Sequence, residues 1–385
     1  MPLRGIKVIE LAGLAPVPFC GMILSNFGAS VVRVDRASSE VPNIAIDFLG
    51  NGKRSVGLNL KSKEGTDILK KMSQQSDVIL DPFRPGTMEK LGLGPDTLML
   101  KNKRLIYARL SGFGQTGPYA KMAGHDINYV GLSGLLSLFG RHHEKPTPPV
   151  NLTADFGGGG LTCAFGIVLA LLERTRSNEG QVIDVSMVEG SAYLGSWLYR
   201  SQGLAGLWGQ PRGKNLLDGG AHFYDTYETR DGQFMAVGAL EPQFYAVLLE
   251  KLGLSGDDLP QFGDFEESRS RLAKIFKEKT QDEWCTVFEG TDACVTPVLS
   301  LESAPLNPQN EARCSFQKSK SGDIIPSPAP RLSRTPGCDR TADKLSPATG
   351  QNSIDILLEY GFTTDQIQKY VQQGIIYQKD LSTKL

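Results

Sequence analysis

Histidine is scarce in this chain, and metal-ligand spacing is missing from it. The four histidines are His125, His142, His143 and His222, and none has a partner at the intervals that hold zinc, so no metal site is expected. The six cysteines (Cys20, Cys163, Cys285, Cys294, Cys314 and Cys338) include no C-x-x-C pair. That argues against a disulfide framework and a structural zinc, and fits a reducing compartment. An excess of either charge is also lacking. Lys+Arg 41 against Asp+Glu 42 leaves a net charge of −1, so neither nucleic acid nor a membrane surface is an expected partner. Small anionic ligands stay open, because local clusters decide those. The longest apolar run, over 161–172, is broken by Gly166 and stopped by Glu173-Arg174. It is too short for a bilayer, and no membrane insertion is expected. The first residues enter a strand pattern at once, which predicts no signal peptide. A P-loop, a serine nucleophile elbow and kinase signatures are all absent.

What is present is a globular composition, 40% hydrophobic and 22% charged over 385 residues, long enough to predict two domains. Buried-strand patterns over 5–11, 30–35, 55–60, 77–80 and 105–110 alternate with helical ones over 16–27, 63–73 and after Gly94-Pro95. Strands alternating with helices predict an α/β fold with a parallel sheet covered on both faces. The turn after the first strand, Leu11-Ala12-Gly13-Leu14-Ala15-Pro16, lacks G-x-G-x-x-G, which disfavours a nicotinamide oxidoreductase. A helix over 161–174, a strand over 181–189 and a helix over 192–207 follow. Then the texture changes. Two alternating strands flank Arg230-Asp231-Gly232, an Asp-Gly hairpin signal, and helices are predicted at 242–252, 270–278 and 281–288. The resulting division is a large Rossmann-like domain at 1–190, a linker at 191–220 and a small α+β domain at 221–305. A return linker at 306–350 and carboxyl-terminal helices at 351–385, packed on the large domain, complete it.

The chemistry concentrates in residues 110–160. His125 and Asp126 stand at a predicted helix start. Asp155 stands just ahead of Gly157-Gly158-Gly159-Gly160, which should open another helix. Helix starts offer unpaired N–H groups and a positive dipole end. An acid–base pair beside such donors suits proton transfer next to a carbonyl. Plain alternatives stand beside each reading: His125 and Asp126 as capping residues, Asp155 likewise, the glycines as close packing instead of ligand approach. Glu241, before Pro242, is explained equally well as a helix cap. Arg36 after the second strand, Arg54 beside Asn51-Gly52-Lys53, and Arg84 in the 82–86 loop are either phosphate grips or solvated charges. His142 and His143 sit in a charged, proline-rich loop and are read as exposed; His222 is read as structural.

These residues carry a resemblance. The segments ELAGLAPVPFCGMILSNFGASVVRVDR, GKRSVGLNLK, FRPGTMEKLGLGP, AGHDINY, ADFGGGGL and GALEPQFY resemble the family III CoA-transferase superfamily, and within it the members that racemise. The resemblance is dense over 1–305 and thin beyond. It implies an intertwined homodimer of a Rossmann-like large domain and a small α+β domain. The implied reaction is interconversion of (2R)- and (2S)-2-methyl-branched acyl-CoA thioesters, in the metabolism of branched fatty acids and bile-acid precursors, with no cofactor beyond the CoA of the substrate. His125 and Asp155 would be the two bases, one on each face of the reacting carbon. Asp126 would offer its backbone N–H to the thioester oxygen, and Glu241 of the second copy would orient His125. CoA would be held by Arg36, by Gly57, Leu58, Asn59 and Leu60, by Pro82, Phe83, Arg84, Pro85 and Gly86, by Lys90, and by Gly124, His125, Asp126, Ile127, Asn128 and Tyr129. The rival within the superfamily is a CoA-transferase with Asp155 as nucleophile; His125 beside it favours proton transfer. Met187 is a candidate surface for the acyl tail or a packing residue. Thr383-Lys384-Leu385 resembles a peroxisomal address, so a peroxisomal and/or mitochondrial location is expected.

Overall fold

The structure is a computed structural model that describes residues 1–38, 48–50, 52–319, 322–338 and 346–379. Asn51 and the Thr383-Lys384-Leu385 tripeptide lie outside the described residues. The chain forms two compact units. The larger comprises Met1–Ser133, Pro149–Leu194 and Ala312–Leu385, and the smaller Gly134–Pro148 and Gly195–Glu311.

Six strands of the larger unit run parallel: β1 (Lys7–Leu11), β2 (Ser30–Arg36), β3 (Arg54–Leu58), β4 (Val78–Asp81), β5 (Ile106–Ser111) and β6 (Val182–Ser186). Their spatial order is β3-β2-β1-β4-β5-β6. Because β1 and β4 are neighbours while the chain leaves β1 toward β2, a crevice opens beyond their carboxyl ends, where such sheets bind ligands. Sequences such as KVIEL and VILD make the strands: β-branched residues buried on both faces, as a covered parallel sheet requires. Ile9, Val32, Ile79 and Tyr107 meet Ile68, Leu69 and Met72 of the helix Lys63–Ser73 in one core. Ser62 caps that helix by accepting from Gly65 N at 3.0 Å, and Lys70 and Lys71 face its negative end,.

The smaller unit holds the antiparallel strands β7 (Tyr224–Glu228), β8 (Phe234–Gly238) and β9 (Val295–Pro297). Gly232 supplies the positive φ of +76° that the β7–β8 turn needs,. Helices Pro242–Leu252, Phe265–Phe276 and Gln281–Phe288 pack Leu248, Phe276 and Trp284 against that sheet.

Several boundaries differ from the sequence reading. Residues 134–148 go with the smaller unit, because Arg141 pairs with Asp225 at 2.7 Å and Arg212 donates to Ser137 O at 3.2 Å. The segment after Ala312 belongs to the larger unit and carries a hairpin, β10 (Phe316–Lys318) and β11 (Ile324–Pro326). A two-residue strand, β12 (Ile376–Tyr377), pairs antiparallel with β3 at the sheet edge. The strand expected over 181–189 stops at Ser186, and the helix Met187–Leu194 begins at once. The helix expected over 192–207 is two helices, Met187–Leu194 and Ser196–Ser201.

The apolar run that looked too short for a bilayer is longer than it reads. A π-helix, Leu152–Leu161, continues directly into the α-helix Thr162–Ser177. Together they are long and apolar enough, by length and composition, to cross a membrane. The glycine side of this helix is buried, whereas Leu161, Phe165, Val168, Leu169 and Leu172 form an exposed apolar stripe.

Candidate active site

A cavity of about 910 Å³ opens at the carboxyl ends of β1, β4 and β5. Its walls come from Gly13 to Pro18 after β1, from Pro82, Phe83 and Arg84 after β4, and from Leu110 to Phe113 at the end of β5. His125, Tyr129, Asp155, Phe156 and Met187 close it. A second cavity, about 770 Å³, lies beyond the ends of β2 and β3 and is lined by Arg36, Ser38, Asn59 and Lys61. Gly13, Leu14 and Phe83 line both. Both lobes are mostly apolar; the second carries the cations Arg36 and Lys61, the first a base and an acid, His125 and Asp155.

The imidazole and the carboxyl arrive on different elements. His125, with extended backbone, is the N-cap of the short helix Asp126–Leu132, and its N–H donates to Asn128 Oδ1 at 3.0 Å. The side chain of His125 is exposed to the cavity mouth. Gly124 ahead of it has no room for a side chain. An added Cβ would meet Tyr129 Cε1 at 2.8 Å and Phe113 Cζ at 3.1 Å, and the Tyr129 hydroxyl donates to Gly124 O. Phe113 stacks edge-on against Tyr129 at 5.0 Å and Tyr119 at 5.7 Å. This aromatic clamp fixes the backbone that presents His125.

Asp155 lies inside the π-helix, not ahead of a helix start. The buried Asp126 carboxylate holds it there: Oδ2 accepts from Ala154 N at 2.8 Å and Asp155 N at 2.9 Å. A carboxylate at a helix start satisfies orphan donors and the dipole together. Asn151, left-handed at φ +53°, donates to Asp155 Oδ2 at 3.4 Å. Burial raises the Asp155 pKa above that of a free aspartate, and the Asp126 charge adds to it, against the opposing pull of Asn151 and His125. Its carboxyl group is therefore easier to protonate than a free one.

The four glycines serve packing. An added Cβ at Gly158 would meet Ser191 N at 2.5 Å, and one at Gly160 would meet Pro16 O at 2.6 Å. The π-helix thus lies directly against the helices Met187–Leu194 and Pro16–Asn26. The ligand-approach reading of this run gives way to the packing one.

The remaining sequence-predicted residues divide by position. Arg36, Leu58, Asn59, Leu60 and Phe83 line the lobe beyond β2 and β3, and Pro82, Phe83, Arg84, Gly124, His125 and Tyr129 the one that holds His125 and Asp155. Arg84 donates to Lys121 O at 2.9 Å. Gly57, Pro85, Gly86, Lys90, Asp126, Ile127 and Asn128 line neither. At Gly57 an added Cβ would meet Tyr377 Cβ at 2.9 Å. Gly86 caps the helix Thr87–Lys90 at φ +83°, and Lys90 is exposed at its end. Glu241 belongs to the smaller unit, as N-cap of Pro242–Leu252. Sequence reasoning missed Gly13 and Leu14, shared by both lobes, and Asn151, four residues before Asp155. Asparagine is among the few non-glycine residues that take the left-handed turn found there, and that preference is the signal that could have been read.

The molecule is a Rossmann-like α/β protein with a base and an acid set together at the carboxyl edge of its parallel sheet. It belongs to CoA-transferase family III, whose model matches residues 3–353. The chain is 55% identical, over 100% of both chains, to the mouse (Mus musculus) protein named alpha-methylacyl-CoA racemase. It is 52% identical, again over 100% of both, to the human (Homo sapiens) protein of that name. Its fold is similar to the crystal structure of a CAIB/BAIF family protein from Brucella suis, with a TM-score of 0.78 and 25% identity over 94% of this chain and 99% of that one.

Proposed function

We propose that this protein racemises 2-methyl-branched acyl-CoA thioesters by moving a proton from one face of the α-carbon to the other through an enolate. One observation carries the reading: His125 and Asp155, from separate elements, line one cavity. That cavity shares Gly13, Leu14 and Phe83 with a cationic lobe at Arg36. The full-length likeness to two proteins named alpha-methylacyl-CoA racemase supports it.

The chemistry follows from what a thioester demands. Its α-proton is far too weakly acidic for an imidazole alone, so the enolate oxygen needs fixed donors. A backbone N–H at the start of a helix, here that of Asp126, is worth about 3–4 kcal/mol in such a role. His125 takes a proton on one side. Asp155, with its pKa raised by burial, holds one to return on the other. For the opposite enantiomer the roles exchange. CoA carries no chemistry here; its phosphates, gripped near Arg36 and Arg84, fix the α-carbon between the two groups.

We also read the chain as a homodimer. The exposed stripe from Leu161 to Leu172 is contiguous apolar surface of the kind a second copy covers, and Glu241 would come to His125 from that copy. Sedimentation at micromolar concentration checks this: a monomer would remove it.

The activity test uses a pure enantiomer of 2-methylacyl-CoA in D₂O. Deuterium at the α-carbon with loss of optical purity is expected, and His125→Ala and Asp155→Asn should each abolish the loss of optical purity, leaving at most deuterium exchange with retention in the enantiomer that faces the remaining base. CoA exchange onto a free acid without deuterium uptake would overturn the proposal and favour transfer through Asp155.

A further inference from the structure

Behind the loop that lines both lobes lies a buried charge cluster with no part in the proton transfer. Asp81 ends β4 with its side chain fully buried. Its Oδ1 accepts from Phe83 N at 2.8 Å. Arg109 is its register partner on β5, with Nε 3.4 Å from Asp81 Oδ2. The same guanidinium forks onto Glu89, at 2.8 and 3.3 Å. Glu89 sits on the helix Thr87–Lys90, which follows the loop. Asp81 and Arg109 thus brace the 82–86 loop on its entry side and its exit side.

We infer that Asp81 and Arg109 are positioning residues for this loop, governing how tightly the CoA thioester is held and not the rate of proton transfer. The inference rests on the racemase reading for its substrate. Three observations support it. Pro82, Phe83 and Arg84 line the catalytic lobe, and Phe83 lines both lobes, so loop displacement alters the path between them. Pro82 also packs on Gly13, where an added Cβ would meet it at 2.6 Å, leaving no slack on that side. Finally, an apolar pair could fill the place of Asp81 and Arg109 without the cost of burying charge. It could not accept the Phe83 N–H, nor fork onto Glu89.

Burial raises the Asp81 carboxyl to about 6, with the Glu89 charge adding, against the Phe83 N–H, Arg109 and Tyr107. Those groups, from β5 and the following helix, are the charged and titratable neighbours that face it. As pH falls through about 6, Asp81 takes up a proton, its attraction for Arg109 goes, and the grip on the loop weakens.

The test compares 2-methylacyl-CoA with the same acyl group on N-acetylcysteamine, which lacks the nucleotide end that the loop and Arg36 would hold. For D81N we expect KM for the CoA thioester to rise about tenfold, with kcat within about twofold. The truncated thioester should be turned over as by the wild type. E89Q, at the partly exposed end of the cluster, should raise KM about threefold with an unchanged melting temperature. It stands in if D81N fails to fold. The wild-type KM should climb below about pH 6, and the D81N value should stay flat. An equal loss of kcat on both thioesters, or an unchanged KM in both variants, would overturn the inference. Should the wild type exchange no α-deuterium, the racemase reading fails separately, and calorimetric titration with coenzyme A still tests the loop: D81N must bind it about tenfold more weakly.

Discussion

Replacing Asp126 should separate the holding of the π-helix from the chemistry near it. The Asp126 carboxylate is buried and accepts from Ala154 N and Asp155 N through one oxygen, at 2.8 and 2.9 Å, while Oδ1 has no hydrogen-bond partner among the described residues. Hydrogen bonds to a charged group contribute about 1.5–3 kcal/mol each. Asp126→Ala removes both and leaves donors orphaned at a helix start, so a loss of about 3–5 kcal/mol is expected. For a unit of this size that is a fall in melting temperature of roughly 10 °C. Asp126→Asn keeps an acceptor in the same place and converts the unpartnered oxygen to an amide, so its loss should stay near ~1 kcal/mol. The Asn variant also removes the negative charge that helps raise Asp155. Its acid group must then titrate lower, and the acid limb of the racemisation profile should move to lower pH. Urea unfolding followed by circular dichroism reads the first effect, and kcat/KM against pH the second. If Asp126→Ala melts with the wild type, or the Asn variant shifts its acid limb upward, the reasoning is wrong.

Further outcomes follow elsewhere in the structure. His222 is fully buried, with Nε2 2.8 Å from Tyr245 Oη, and burial, then Arg269, lowers it to about 4 from 6.5. Between those values the unfolded chain takes up a proton that the folded one refuses. Stability is therefore full above about pH 6.5 and falls by up to about 3 kcal/mol as pH drops toward 4; urea midpoints at pH 7 and 5 should show it, and His222→Gln should flatten the slope. Gly158→Ala should destabilise by about 1–3 kcal/mol or more, since its Cβ meets the backbone of Gly190 and Ser191,. Gly203→Ala, with nothing within 4 Å, should stay within about 0.5 kcal/mol. Arg36→Gln should raise KM for the CoA thioester about tenfold or more while sparing the N-acetylcysteamine thioester.

Much of the fold was legible because its signals are local. Ser62, Pro242 and the Thr280/Glu283 capping box mark helix starts that the structure keeps at Lys63, Pro242 and Gln281,. Valine- and isoleucine-rich runs mark the parallel strands, and Asp231-Gly232 the hairpin. What could not be read is decided by distant partners. Residues 134–148 follow Arg141 to Asp225. β12 has two residues and exists because β3 offers it an edge. Asp126 and Asp155 were each legible as an acid near a helix start, but not that one holds the backbone of the other, since no spacing rule links residues 29 positions apart.

The π-helix shows why that link matters. A π-helical stretch is rarer and less favourable than an α-helix, and it persists where surrounding contacts impose it. Here they come from three directions. Asp126 fixes its first donors, while Ser191 on one side and Pro16 on the other press on glycines where any larger residue would force the backbones apart. Asp155 is placed by that enforced winding. His125 is placed by the Gly124–Tyr129 clamp on a different helix. The two groups need no contact with each other to share a cavity, and this is the condition for addressing opposite faces of one carbon. A carboxylate and an imidazole bonded directly would act from a single side. Burial that raises the Asp155 pKa makes its carboxylate a stronger base than a free one, as a group that must both take and return a proton requires.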